Sequence, residues 1–124
     1  MARDAKYRNL DVYKEAKILV KEVYEMMRKF PSEEKYALCD QMRRSVISVP
    51  SNIAEGLGRF SVKEQLHFIE IAYGSLMEIE TQLDLAVDLG YISSEDFDKI
   101  DETTIENISK MLSGMRSRRL SSNQ

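Results

Sequence analysis

The sequence has few of the residues that cross-link or interrupt a chain. Its single cysteine, Cys39, allows no disulfide within the 124 residues, and nothing indicates an oxidising compartment. Two prolines and five glycines are few helix breakers, which favours a small number of long helices over many short strands. No apolar run approaches the roughly 20 residues that span a bilayer, and the first residues lack the apolar region of a signal peptide. We therefore expect a cytoplasmic protein that makes no membrane contact.

Residues with catalytic chemistry are equally scarce. His67 is the only histidine, so one chain cannot build the di-iron site that Glu64 and His67 suggest, because that site needs two Glu-x-x-His pairs. The spacing from Arg59 to His67 does not match the Arg-x4-6-His pattern of some helical ribonucleases. Cys39 lies in an apolar stripe, where a buried thiol is expected. Gly56-Leu57-Gly58 lacks the strand, third glycine and lysine of a phosphate loop. We expect no enzyme activity, metal or cofactor.

What the sequence does contain is helical periodicity. Apolar residues recur at steps of three or four in four segments, the spacing of the buried face of an amphipathic helix. The third segment carries two overlapping stripes, which is typical of a central helix or of one covered by a partner. The stripes are Val12, Ala16, Leu19, Val23, Met26 and Phe30; Cys39, Met42, Val46, Val49 and Ile53; Leu66, Ile69, Tyr73, Leu76, Ile79 or Glu80, Leu83 and Val87, overlapped by Phe68, Ala72, Leu76, Ile79, Leu83 and Ala86; and Phe97, Ile100, Thr104, Ile108, Met111 and Met115.

Capping and breaking residues predict the bounds of the first two helices. Asp11 is a plausible N-cap of the first, and Phe30-Pro31 ends it because proline disfavours helical geometry in the residue before it. Ser32 predicts the N-cap of the second helix. Pro50 predicts a kink or local break inside that helix, since it removes one backbone hydrogen bond.

The remaining signals complete a bundle. Gly56 and Gly58 end the second helix, and Ser61 with Glu64 has the spacing of a capping box for the third. Gly90 ends the third, and Ser93 or Ser94 caps the fourth. Because the connections are short, we predict an all-α, up-down-up-down antiparallel four-helix bundle. It forms one domain, residues 1–124, with an ordered core of about 7–115 and a frayed, flexible tail after Arg116.

Charge is unevenly distributed along the chain. The net charge of −3 does not suit an obligate nucleic-acid binder. Residues 1–30 carry eight basic and five acidic groups, whereas residues 61–92 carry one basic and six acidic groups. The first and third helices are therefore expected to attract one another, within one chain or between chains.

Two polar clusters allow opposing interpretations. In the structural one, an arginine of Arg43-Arg44 pairs with Glu78, Glu80 or Asp84 and fixes the register of two helices. In the functional one, a basic surface contacts RNA phosphates. Asn52 and Glu55 either hold the turn after the second helix or meet a neighbour. The candidate phosphate contacts are Arg43, Arg44, Arg59, Lys63 and, in the tail, Arg116, Arg118 and Arg119.

Several stretches together resemble one family. They are Leu10–Tyr13, Phe30-Pro31, Tyr36–Leu38, Gln41–Ser45, Ser48–Gly56, Gly74–Glu78 and Leu89–Tyr91, of which Pro-Ser-Asn-Ile-Ala-Glu-Gly is the most specific. The sequence is similar, over about residues 7–115, to bacterial four-helix-bundle proteins encoded in 23S rRNA intervening sequences. The resemblance implies homopentameric rings. It also implies a distant similarity to the accessory protein of diversity-generating retroelements, which engages a reverse transcriptase and nucleic acid. The signature residues, expected to determine fold and interface, are Arg43, Arg44, Asn52, Glu55, Gly56 and Glu78.

Two functional hypotheses follow. The first is a non-enzymatic homo-oligomeric scaffold or adaptor, with the chain itself as partner in a pentamer. The alternative is an RNA-binding or other nucleic-acid-binding module that acts through the basic patches of the oligomer, alone or with an enzyme such as a reverse transcriptase.

Overall fold

Helix follows helix along residues 6–122, the part of the chain that the computed structural model describes, and no strand occurs there. The predicted all-α bundle is confirmed. The last two helices are joined by a π-helical turn, so together they form the fourth rod of the bundle. The helices are α1, Asp11–Met27; α2, Leu38–Leu57; α3, Val62–Asp88; α4, Ser94–Ile100; the π turn, Asp101–Ile105; and α5, Glu106–Ser122.

The predicted stripes form most of the core. Every stripe residue of α1 and α2 is buried, as is Phe30 beyond the end of α1. In α3 the buried face follows the second of the two stripes, and Tyr73 of the first stripe is 38% exposed. Leu112, which the stripe omitted, joins the core from α5. The buried apolar positions of α3 are Ile69, Ala72, Leu76, Ile79, Leu83 and Ala86, and Gln82 is buried with them.

Helices α2 and α3 pack most intimately, because small residues line the seam between them. Gly56 lies so close to α3 that a Cβ atom on it would stand 2.9 Å from the Cβ of Phe68. Further along the seam, the hydroxyls of Ser48 and Ser75 share a hydrogen bond of 2.7 Å. Gly56 lies against Phe68, whereas the earlier residue Ser48 lies against the later residue Ser75, so these two helices are antiparallel.

The starts of α1 and α2 differ from the prediction. Asp11 is the first helical residue of α1, and Leu10 occupies the N-cap position without a side-chain hydrogen bond. Ser32 begins a short 3-10 turn, Ser32–Glu34, and α2 starts only at Leu38. At the start of α2, the carboxylate of Glu34 accepts a hydrogen bond of 3.4 Å from the Leu38 amide. Glu34 is held in place because it also accepts a 2.6 Å hydrogen bond from the Tyr91 hydroxyl.

The caps of the later helices are as predicted. The Ser61 hydroxyl accepts a 3.0 Å hydrogen bond from the Glu64 amide, and Ser93, the first of the two predicted serines, does the same for Asp96. At the end of α3, Gly90 has a φ of +79°, which a side chain would strain. Amides of Gly90 and Tyr91 return to the carbonyls of Val87 and Ala86, closing a Schellman motif.

Three features of the helices were not foreseen. α2 continues through Pro50 without the predicted break, and Val49 and Ile53 on either side of the proline are buried in the core. The π turn inserts itself between α4 and α5 with Thr104 and Ile105 buried. Fraying after Arg116 was wrong within the described residues, since α5 continues to Ser122.

The close approach at Gly56 predicts a destabilising substitution. Gly56→Ala forces the backbones of α2 and α3 apart, because neither the Cβ of Phe68 nor the new methyl group can swing away. We expect the free energy of unfolding, measured in urea, to be about 1–3 kcal/mol lower than in the wild type. Gly74→Ala is the matched control. Nothing lies within 4 Å of a Cβ at that position in mid-α3, so it should be stabilising by about 0.5–1 kcal/mol. Equal effects of both changes would contradict the close contact.

Candidate functional site

A polar ladder runs along the α2–α3 seam. The side-chain amide of Asn52 donates to both the carbonyl and the hydroxyl of Ser48, each at 2.8 Å, and Ser48 meets Ser75 across the seam. Ser45 turns its hydroxyl back to the carbonyl of Gln41 at 3.0 Å. Beside the ladder lies a shallow groove of about 360 Å³, into which Arg44 and Glu78 face from opposite helices. Asn52 therefore contacts, from within α2, the serine whose hydroxyl crosses the seam.

The predicted ion pair between α2 and α3 does not form. Arg43 and Arg44 both pair with Asp40 of their own helix, at 3.1 and 3.5 Å, because positions three and four apart share a helix face. Arg43 also donates to the carbonyl of Lys35 at 2.7 Å, which ties the start of α2 to the preceding turn. The hydrogen bond from Arg43 holds the pKa of Asp40 below its ordinary value.

Glu80 meets another carboxylate instead of an arginine. The π turn brings Asp101 against Glu80, and the hydrogen bond between the two side chains raises the pKa of Glu80 to about 7. Burial and the negative charges of Asp101 and Asp84 act in the same direction. One oxygen of Asp101 is buried without a hydrogen-bond partner. Two carboxyl groups thus meet at the junction of α3 with the fourth rod, where Glu80 holds its proton more tightly than a free glutamate does.

The structure brings several predicted basic residues to one end of the bundle. Arg59 pairs with Glu55 at 2.8 Å and lies over the ring of Phe68 at 4.9 Å. Gln65 donates to the carbonyl of Arg59 at 2.8 Å and accepts from Arg119 at 3.0 Å, so it joins the α2–α3 turn to α5.

Other predicted basic residues lie on either side of this group. Lys63 lies in the first turn of α3, and Arg116 pairs with Glu70 at 3.0 Å. Arg43 and Arg44 are absent from this group because they lie in the first half of α2. They are therefore separated from the other candidate phosphate contacts.

The sequence analysis missed Phe60, whose side chain is fully exposed at the tip of the α2–α3 turn. A single aromatic residue outside any helical stripe gives no periodic signal. Its neighbours Arg59 and Lys63 were already candidates, so a basic flank around a turn aromatic was the available clue.

The catalytic candidates excluded by the sequence are placed as follows. Cys39 is 4% exposed, and burial raises the pKa of its thiol, which makes it a poorer nucleophile. His67 is exposed with its ring edge-on to Phe68 at 5.3 Å. Within residues 6–122, no group of three or more histidine, cysteine or carboxylate side chains is arranged to hold a metal ion.

Comparison with known proteins decides the family. The model of the 23S rRNA-intervening sequence protein family matches residues 8–114, well over half of the 124-residue chain. The chain belongs to this family. The resemblance found in the sequence is confirmed, and the match ends before Arg116, Arg118 and Arg119. No helix among the described residues of this family member is long and apolar enough to cross a membrane.

A solved structure shares the fold of this intervening-sequence protein. It is that of a protein of unknown function from the S23 ribosomal protein family of Bacteroides thetaiotaomicron VPI-5482. The TM-score is 0.76 at 23% identity, and the match covers 85% of this chain and 97% of that chain. At this identity the likeness establishes the fold alone. No curated protein matches the chain.

Within the family fold, the six signature residues fall into two groups. Asn52 and Gly56 line the α2–α3 seam, and Glu78 faces the groove beside it. The other three form ion pairs inside α2 or its turn: Arg43 and Arg44 with Asp40, and Glu55 with Arg59. All six thus lie on or beside α2, and their role in an interface stays a prediction.

The raised pKa of Glu80 predicts a pH-dependent stability. Glu80 keeps its proton to about pH 7 in the folded chain, against an ordinary pKa of 4.5. The contribution of Glu80 to the free energy of unfolding is therefore fully present below pH 4.5. It is lost as the pH rises through 7, because the folded state must then hold two negative charges together. Glu80→Gln removes that repulsion.

The free energy of unfolding in urea, measured at pH 5 and pH 8, checks this effect. From pH 5 to pH 8 the wild type should lose about 1 kcal/mol relative to Glu80→Gln, a value reduced by solvent screening at this partly exposed pair. Glu78→Gln, two residues before Glu80 in α3, is the control and should follow the wild type at both pH values. Parallel behaviour of all three proteins would refute the raised pKa of Glu80.

Proposed function

We propose that this chain is a non-enzymatic scaffold or adaptor that assembles with copies of itself. The observation that carries the proposal is an apolar groove of about 450 Å³ between α1 and α2. Tyr13, Val20, Ile47 and Pro50 line it, and Ile47 remains 44% exposed. A groove of this kind between two helices typically binds the apolar face of a third helix.

A second surface of the same chain has the complementary form. Ile71, Glu78 and Leu85 recur at intervals of seven along α3, so they form one straight stripe on its outer face. Ile71 is 37% exposed and Leu85 48% exposed. Their apolar side chains suit the floor of the α1–α2 groove.

Charge favours the same pairing. The α1–α2 groove is flanked by Lys17 and Lys21, whereas the α3 stripe carries Glu78. Residues 76–109, which include the second half of α3, hold ten acidic groups and one basic group. Opposite charges at the rim of an apolar contact orient the two partners and exclude the like-charged arrangement.

Two different surfaces that fit each other produce a head-to-tail contact. Such a contact is heterologous, and it closes into a ring when the rotation between neighbours permits. The homopentamer implied by the resemblance is one such ring. An assembly of this kind presents each bundle's remaining surfaces several times, which is how a small chain without catalytic groups acts as a scaffold.

Substitutions on either surface test the assembly. We expect light scattering to show a mass above that of one chain for the wild type at micromolar concentration. Ile47→Glu and Ile71→Glu should each reduce the mass to that of one chain, because each places a charge in the apolar contact. Both side chains are partly exposed in the single bundle, so thermal unfolding followed by circular dichroism should show folded variants. Leu120→Glu, at an exposed position outside both surfaces, should leave the mass unchanged.

Mixing the two variants identifies the type of contact. Each keeps one intact surface, so an equimolar mixture of Ile47→Glu and Ile71→Glu should form a species of two chains and no larger. A wild-type protein with the mass of one chain would defeat the proposal, and a mixture that stays monomeric would exclude this pair of surfaces.

A further inference from the structure

The α2–α3 turn presents one aromatic ring to solvent on a fixed support. Phe60 is 103% exposed at its tip. Backbone amides of Gly58 and Arg59 donate to carbonyls of Glu55 and Gly56, and Ser61 caps α3 on the other side. Gln65 holds the carbonyl of Arg59 at 2.8 Å. The ring therefore projects from an ordered turn, where its exposure is not the result of a loose loop.

Cationic groups collect on the same end of the bundle. A groove of about 490 Å³ lies between the start of α1 and α5, and Lys110, Arg118 and Arg119 line it. Among the described residues, Asp11 is the one acidic residue lining the groove, and Glu106 pairs with Lys110 at 3.3 Å. Leu57, Leu10 and the methionines Met111 and Met115 form its apolar floor.

The groove and the ring lie at the same end of the bundle. Leu57 in the groove precedes Phe60 by three residues, and Arg119 is joined through Gln65 to the backbone of Arg59. Arg118 and Arg119 both line the groove, and burial, followed by the charge of Arg118, lowers the pKa of Arg119. A bound anion favours the charged form of both side chains.

We infer that this end of the bundle binds single-stranded nucleic acid, with an unpaired base stacked on Phe60 and the adjoining phosphates on Lys63, Arg118 and Arg119. An exposed ring beside a cationic groove is the combination that single strands use, because each base offers a π face and each linkage one negative charge. A duplex hides its base faces in the stack, so it leaves the ring without a partner.

A protein partner fits this end of the bundle less well. Protein interfaces centre on contiguous apolar area with few charges, whereas Phe60 follows Arg59 and precedes Ser61 and Lys63. The site goes beyond the proposed self-assembly.

Fluorescence anisotropy with a fluorescein-labelled 12-nucleotide oligouridine tests the site. We expect saturable binding at 50 mM salt that Phe60→Ala weakens about 10-fold and Phe60→Trp preserves, since stacking on one aromatic side chain has that magnitude. Tyr36→Ala is the matched control. Tyr36 is also an exposed aromatic next to a lysine, 79% exposed, but it lies near the start of α2 at the other end of the bundle. The Tyr36→Ala variant should bind the oligouridine as tightly as the wild type does.

Salt dependence tests the phosphate contacts separately. In Lys63→Gln and Arg118→Gln, the slope of log K against log salt should decrease by about 0.7 for each charge removed. Arg44→Gln should leave the slope unchanged, because Arg44 lies away from this end and pairs with Asp40.

Three binding results would overturn the inference: no binding by the wild type, equal binding by Phe60→Ala, or equal binding of a 12-base-pair duplex. Light scattering on the same samples separates this site from the assembly. A Phe60→Ala protein of reduced mass would assign the ring to contact with a second copy, and would also overturn the inference. The Ile47→Glu variant tests the assembly through its mass. Adding Phe60→Ala to that variant should still weaken oligouridine binding, even when the protein is a single chain.

Discussion

The contact between Gly56 and Phe68 is the constraint on which the rest of the structure depends. Because α2 has no side chain at this point, it approaches α3 closely enough for Ser48 to meet Ser75 further along the seam. The register of the two longest helices follows from that approach. So does the short turn between them, whose arginine rests on the ring of Phe68.

The surfaces of the bundle differ because the sequence places charge unevenly along helices that the seam holds in register. Acidic groups dominate residues 76–109, and Asp101 raises the pKa of Glu80 there. The opposite end carries the arginines of α5 and the exposed Phe60. Apolar residues on the outer faces of α1, α2 and α3 lie between these two extremes. The proposed assembly uses the sides of the bundle, so the cationic end stays accessible.

Periodicity predicted the core well, because burial selects residue type at every third or fourth position. Val12 to Phe30 and Cys39 to Ile53 were correct throughout. Single features escaped prediction for physical reasons. The π turn depends on how Thr104 and Ile105 fit the core, and the cap of α2 depends on Tyr91, 57 residues away from Glu34. Arg43 and Arg44 pair with Asp40 because Asp40 is a neighbour on the same helix, whereas the acidic residues of α3 lie across a seam lined by serines. Phe60 was missed because one exposed ring has no pattern.

The central claim is that a tightly closed seam makes the α2–α3 turn a rigid platform, and hydrogen exchange measures this directly. The amides of Gly58, Arg59 and Gln65 all donate to backbone carbonyls beside the exposed ring. In the wild-type protein they should exchange almost as slowly as amides in the middle of α2 and α3, because opening the turn requires separating the two helices. Exchange within seconds at these three amides, with the helices still protected, would show a loose turn and contradict the account.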